Sequence, residues 1–93
     1  MAGKYTPLER YLHGISAKQL DITVTFAQIE QILKNKLPPS AYQHRAWWAN
    51  ERDGRHVNAH AWLDASWKVA DVDQQRGLVR FRRAQRELLL EEK

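Results

Sequence analysis

The side chains best suited to chemistry fall in two stretches. One is the aromatic and polar block Ser40-Ala41-Tyr42-Gln43-His44-Arg45-Ala46-Trp47-Trp48-Ala49-Asn50, and the other is an arginine run from Arg76 to Arg86 that holds five arginines and no acid. Arginine pairs bidentately with the guanine edge, and asparagine or glutamine with adenine. On one helix, Gln43, His44, Arg45 and Asn50 could therefore read base edges, while Tyr42 and Trp47 or Trp48 stack on bases or pack against sugars. In the arginine run, strand alternation would turn Val79 and Phe81 inward and Arg80 and Arg82 outward, which with Arg83 makes a strip fitted to phosphates. Arg52, in the charged loop from Glu51 to Arg55, extends that set. Plain structural roles compete for the same residues. Gln43 can close a capping box, Asn50 can cap a helix C-terminus in the left-handed region, and at least one tryptophan belongs to the core. An arginine run can be no more than a solvated face.

The alternatives in catalysis are thin. His56 and His60 stand four apart, with His44 and Asp64 as further conceivable ligands, but zinc needs three or four groups converging on one point. His56, Asn58 and His60 resemble a small nuclease by letters only, without the ββα-metal element order. Asp71 and Asp73 have no lysine or glutamate at a nuclease-like spacing and fit a turn better. No glycine-rich phosphate loop, nucleophile elbow or Ser/His/Asp arrangement occurs. The expectation is a binding protein without catalytic residues, metal or cofactor.

Three S/T-x-x-E/Q boxes set the helix starts: Thr6 with Glu9, Thr25 with Gln28, and Ser40 with Gln43. They predict helices from about residues 7, 26 and 41. The first has Pro7 at its opening position and Gly14 at its end; the second has Val24 and Ile29 placed as a staple; the third runs to about Ala49. Asp21 to Thr25 alternates β-branched residues and reads as a short edge strand or bridge. Pro38-Pro39 forces a tight turn between the second and third helices, a helix-turn-helix spacing. A fourth short helix from about Asn58 to Ala65 precedes a hairpin of Trp67 to Val69 and Leu78 to Arg82, turning at Asp73 to Gly77. Residues 84–93 form a helical or frayed tail with Leu88, Leu89 and Leu90.

Ninety-three residues hold one hydrophobic core, taken here as a single domain over 1–83. Hydrophobic residues at 43% and four tryptophans favour a folded chain, and the absence of cysteine removes disulfides and thiolate chemistry. No run approaches the ~20 apolar residues of a membrane span, and the N-terminus has no signal-peptide pattern, so a cytoplasmic protein is expected. A formal charge of +4 favours a polyanionic partner.

The element order is that of an α+β, winged-helix-like domain, in which the third helix enters the major groove and the hairpin touches flanking phosphates. In that order KYTPLERYL, ITVTFAQIEQIL, LPPSAYQHRAWWAN, AHAWLDASW and VRFRR resemble a widespread bacterial domain family of uncharacterised function, from Lys4 to Arg83. Ala65-Ser66-Trp67 stands where related sequences read Ala-Gly-Trp. Members look like short stand-alone proteins or modules of larger, often restriction-type, proteins. The resemblance implies a DNA-associated role and transfers no active site. The expectation is a duplex-DNA-binding monomer or weak homodimer. The alternative is a protein-interaction module, an adaptor or inhibitor of a nuclease or defence system, anchored by its Trp, Tyr and Arg surface. RNA binding ranks third, because the aromatics fall on a helix.

Overall fold

The computed structural model describes residues 4–51 and 57–84. Helix α1 (Thr6–His13) buries Leu8 and Leu12 and ends at Gly14, whose N–H donates to the carbonyls of Arg10 and Tyr11. Tyr5 occupies its cap position with no side-chain cap bond, so the expected Thr6 cap does not form. Strand β1 (Asp21–Thr25) feeds directly into α2 (Phe26–Leu33). Here the capping box is complete: the Gln28 amide donates to Thr25 Oγ1 at 2.9 Å, and the Thr25 amide donates to Gln28 Oε1 at 2.8 Å. Val24 and Ile29 are both buried, and the helix stops at Lys34 in the left-handed region, φ 57°.

The third helix departs most from its sequence pattern. Helix α3 covers only Pro39–Gln43, capped by Pro38 without a side-chain bond, so Ser40 and Gln43 do not form a box. His44 is extended (φ −121°, ψ 114°), and a 3-10 turn follows at Arg45–Trp48. The cause is the Trp47-Trp48 pair. A continued α-helix would splay the two rings by about 100°, whereas the break lets both enter the core at 6% and 2% exposure. Trp48 Nε1 then donates back to the Ala41 carbonyl at 2.8 Å, and the Trp47 carbonyl accepts from buried Asn58 Nδ2 at 2.6 Å.

A second 3-10 turn (Val57–Ala59) leads into α4 (His60–Leu63), which buries Ala61 and Trp62. Ser66, at φ 68°, then turns the chain into β2 (Trp67–Asp73). Strand β3 (Leu78–Arg83) completes an antiparallel sheet in the order β1-β3-β2. The β2–β3 turn needs a positive φ, 71°, at Gly77. The Gly77 N–H donates to Asp73 at 2.8 Å, and its carbonyl accepts from Phe26 at 2.7 Å, which ties the turn to the start of α2.

One face of the sheet carries Ile22, Val24, Val69, Val72, Val79 and Phe81 against the helices. Between the layers, Phe26, Trp48 and Trp62 stack in sequence at 5.0 and 5.7 Å, and Phe81 closes the row at 5.7 Å. At about 25 cal/mol per Å², each such ring contributes several kcal/mol by leaving water. The outer edges of the sheet are covered by the chain's own side chains. Asn50 pairs with both the N–H and the carbonyl of Val69, Arg45 covers the Val72 carbonyl, and on β1 Gln19 covers the Asp21 carbonyl while Gln28 takes the Thr25 amide. This removes much of the template that a bare edge offers to another strand. Among the described residues, no helix is long and apolar enough to cross a membrane.

Candidate nucleic-acid interface

The residues singled out by type separate into those that face solvent and those that hold the fold. Tyr42 is 41% exposed, yet its hydroxyl donates to Glu30 Oε2 at 2.7 Å and its ring meets Phe26 edge-on at 5.2 Å. The same carboxylate oxygen accepts from the Leu37 amide at 2.9 Å, so Glu30 clasps the α2–α3 corner. The Tyr42 hydroxyl and then the Leu37 amide hold the Glu30 carboxyl below its ordinary pKa, and the same contact with Glu30 raises that of Tyr42. Gln43 and His44 are exposed at the end of α3.

Arg45 crosses to β2, where Nη1 donates to the Val72 carbonyl at 2.8 Å and Nη2 meets Asp71 Oδ1 at 3.2 Å. Its side chain remains 67% exposed. Beside it, Arg45, Ala46, Trp48 and Ala49 face Val69 to Val72 across an open groove of about 410 Å³.

Three of the expected contact residues are engaged within the fold. Trp47 is enclosed by Tyr5, Trp48 and Trp62 and has no face for a base. Asn50 is not a left-handed cap, and its amide is engaged within the fold: its Oδ1 accepts from Trp62 Nε1 at 2.9 Å and Val69 N at 2.8 Å, while Nδ2 donates to the Val69 carbonyl at 3.0 Å. Arg83 lies 4.2 Å over the Trp67 ring and donates to the carbonyls of Ile15, Ser16 and Gln19, fastening the α1–β1 loop. Trp47 is held by core packing, and Asn50 and Arg83 by polar groups far away in sequence. Arg52 and His56 lie outside the described residues, as does the tail beyond Ala84.

Arg80 and Arg82 do turn outward, as alternation predicts, and the register shows what surrounds them. Across the solvent face, one row reads Asp21, Arg82, Lys68 and the next Thr23, Arg80, Asp71. Arg80 Nη1 stands 3.7 Å from Asp21 Oδ2. Lys68 is thus directly opposite Arg82, a position that sequence reasoning missed because register was needed to find it. Asp73 serves the turn as expected, accepting from the Arg76 amide at 3.0 Å, whereas Asp71 belongs to the charged face. His60 and Asp64 form an exposed 3.6 Å pair. Among the described residues, no three His, Cys, Asp or Glu side chains are grouped to hold a metal.

The chain is a small α+β domain with one charged sheet face and an exposed polar corner after α3. It belongs to the family described as a domain of unknown function (DUF7662), whose model matches residues 5–84. No curated protein and no solved structure matches it.

Proposed function

We propose that this is a winged-helix-like domain that binds duplex DNA, a binding module and not an enzyme, working without a cofactor. The observation that carries the reading is the sheet order β1-β3-β2 combined with the chain order, in which β1 lies between the first two helices and the hairpin follows the helical segment. That order is the one expected of a helix-turn-helix followed by a wing, which supports the reading, and function follows from it by analogy. Support from the surface comes from Gln43 and His44, exposed at the end of α3, from Arg45, exposed in the 3-10 turn that follows, and from Arg80 and Arg82, turned outward on β3. The base-reading helix is short, so backbone contacts dominate and sequence preference is modest.

Mobility shift or fluorescence anisotropy with a short DNA duplex tests this. Binding in low salt that weakens steeply as salt rises is the expected result, because each neutralised phosphate releases counterions. No binding in low salt rejects the proposal.

A second reading, a protein-interaction module, is favoured by the groove beside Arg45 and by the exposed Tyr42 ring. Tyrosine and arginine are the residue types that anchor protein interfaces. A stoichiometric protein that co-purifies and binds irrespective of DNA would select it.

A further inference from the structure

We propose that the end of the domain around Leu20 is a docking surface for the chain's own segment Leu88-Leu89-Leu90-Glu91-Glu92, the leucines covering Leu20 and Ile15 and a glutamate meeting Lys18. This contact is independent of DNA binding. The segment lies outside the described residues, so the surface and the chemistry of the segment carry the proposal.

Leu20 is the most exposed large hydrophobic side chain among the described residues, at 69% against 41% for Tyr42 and 39% for Tyr11. Unlike those tyrosines it has no polar tip to hold toward water. The alternation that turns Ile22 and Val24 toward the helices puts Leu20 on the same side of the sheet, one step beyond the core. Arg83 gathers the neighbouring chain around it: its amide donates to the Leu20 carbonyl at 2.9 Å, Nε to the Gln19 carbonyl at 3.0 Å and Nη2 to the Ile15 carbonyl at 3.1 Å. Ile15 is half-buried against the core, and Lys18, between Ile15 and Leu20 in the chain, is exposed.

The chain leaves the sheet at this same end. Ala84, the last described residue, donates its amide to the Ser66 carbonyl at 2.8 Å, one residue after Arg83 pairs with Leu20. Residues 85–93 lie beyond the span that the family model matches. Leu88 comes four residues after Ala84, a reach of about 13 Å at full extension, so one reversal brings the leucines over Leu20. So short a tether gives them a high effective concentration there, which favours this occupant over a second copy. The two sides match in kind. Three consecutive leucines gain by leaving water together with Leu20 and Ile15, and the acids that follow them complement Lys18.

The test uses the full chain. Amide spectra are compared for the wild type and for a variant carrying Leu88→Ser, Leu89→Ser and Leu90→Ser together. The amides of Ile15, Lys18 and Leu20 should move, while those of the turn at Gly77, at the opposite end of the sheet, stay in place. Leu20→Ser changes an exposed side chain and leaves the core intact, and it should move the amides of Leu88 to Leu90 in return. It should also speed cleavage of the segment by a glutamate-specific protease by about tenfold, the factor that burying one leucine supplies. Shifts confined to residues 85–93 in the triple variant, or unchanged cleavage in Leu20→Ser, overturn the proposal. Shifts at Leu20 that hold across a dilution series support docking within one chain, whereas shifts that vanish on dilution assign the surface to a second copy and overturn it.

Discussion

Replacing Asn50 with alanine should cost this domain a large share of its stability, and the structure says how much. Three bonds end on that amide: Trp62 Nε1 and Val69 N donate to Oδ1, and Nδ2 donates to the Val69 carbonyl. Trp62 is fully buried, so its indole N–H loses its acceptor at a cost of about 1–3 kcal/mol. The two bonds to Val69 lie at the solvent-facing strand edge, where water can replace them at about 0.5 kcal/mol each. The sum is about 2–4 kcal/mol against a typical stability of ~5–15 kcal/mol. For a domain of this size each kcal/mol shifts Tm by about 4–8 °C, so a fall of about 8–32 °C is expected. Thermal and urea unfolding, followed by circular dichroism and tryptophan emission, would measure it. The urea midpoint should fall with an unchanged slope. In a Trp62→Phe background, which has no ring N–H to satisfy, the Asn50→Ala penalty should shrink by at least about 1 kcal/mol. A Tm drop below about 4 °C, or an identical penalty in both backgrounds, would refute the argument. Lost DNA binding at unchanged Tm would return Asn50 to the base-reading set.

Neighbouring arginines should behave oppositely: Arg83→Ala removes the Trp67 stacking contact and the bonds to Ile15, Ser16 and Gln19 and should cost about 2–3 kcal/mol in urea unfolding, while exposed Arg82→Ala stays within about 0.5 kcal/mol. Arg83→Lys should not rescue, since an ammonium cannot stack and fork together. Ser66→Gly should raise stability by about 0.5–1 kcal/mol, because Ser66 holds φ 68°, where glycine carries no Cβ penalty; a lower Tm would contradict this. For Glu30, the folded carboxyl titrates below its ordinary value, so its stabilising contribution is present above the ordinary glutamate pKa and is lost as pH falls through the depressed folded one. Glu30→Gln should therefore flatten the acid limb of the stability–pH curve, read from urea midpoints across that range.

Local chemistry made much of the fold legible. The Thr25–Gln28 box, the β-branched run before it and the turn around Gly77 each encode their own geometry within a few residues, and each forms where expected. The third helix departs from its pattern, which is locally helical, because two adjacent indoles must both reach the core, which no single helix face permits. Contact residues were harder still. Arg83, Asn50 and Arg45 match a DNA-reading composition, but their bonds go to residues 64–68, 12–19 and 26–27 positions away, and spacing carries no trace of such partners. The sheet rows, once known, show that Arg80 stands across from an acid and Arg82 between an acid and a lysine.

The row of rings from Phe26 through Trp48 and Trp62 to Phe81 gives the molecule an optical axis. One terminus abuts the hairpin turn through Gly77, and the other belongs to the central strand. Near-ultraviolet dichroism and emission from these coupled chromophores will therefore report a disturbance at either extremity, so that ligand arrival on the strands can be watched without attaching a dye.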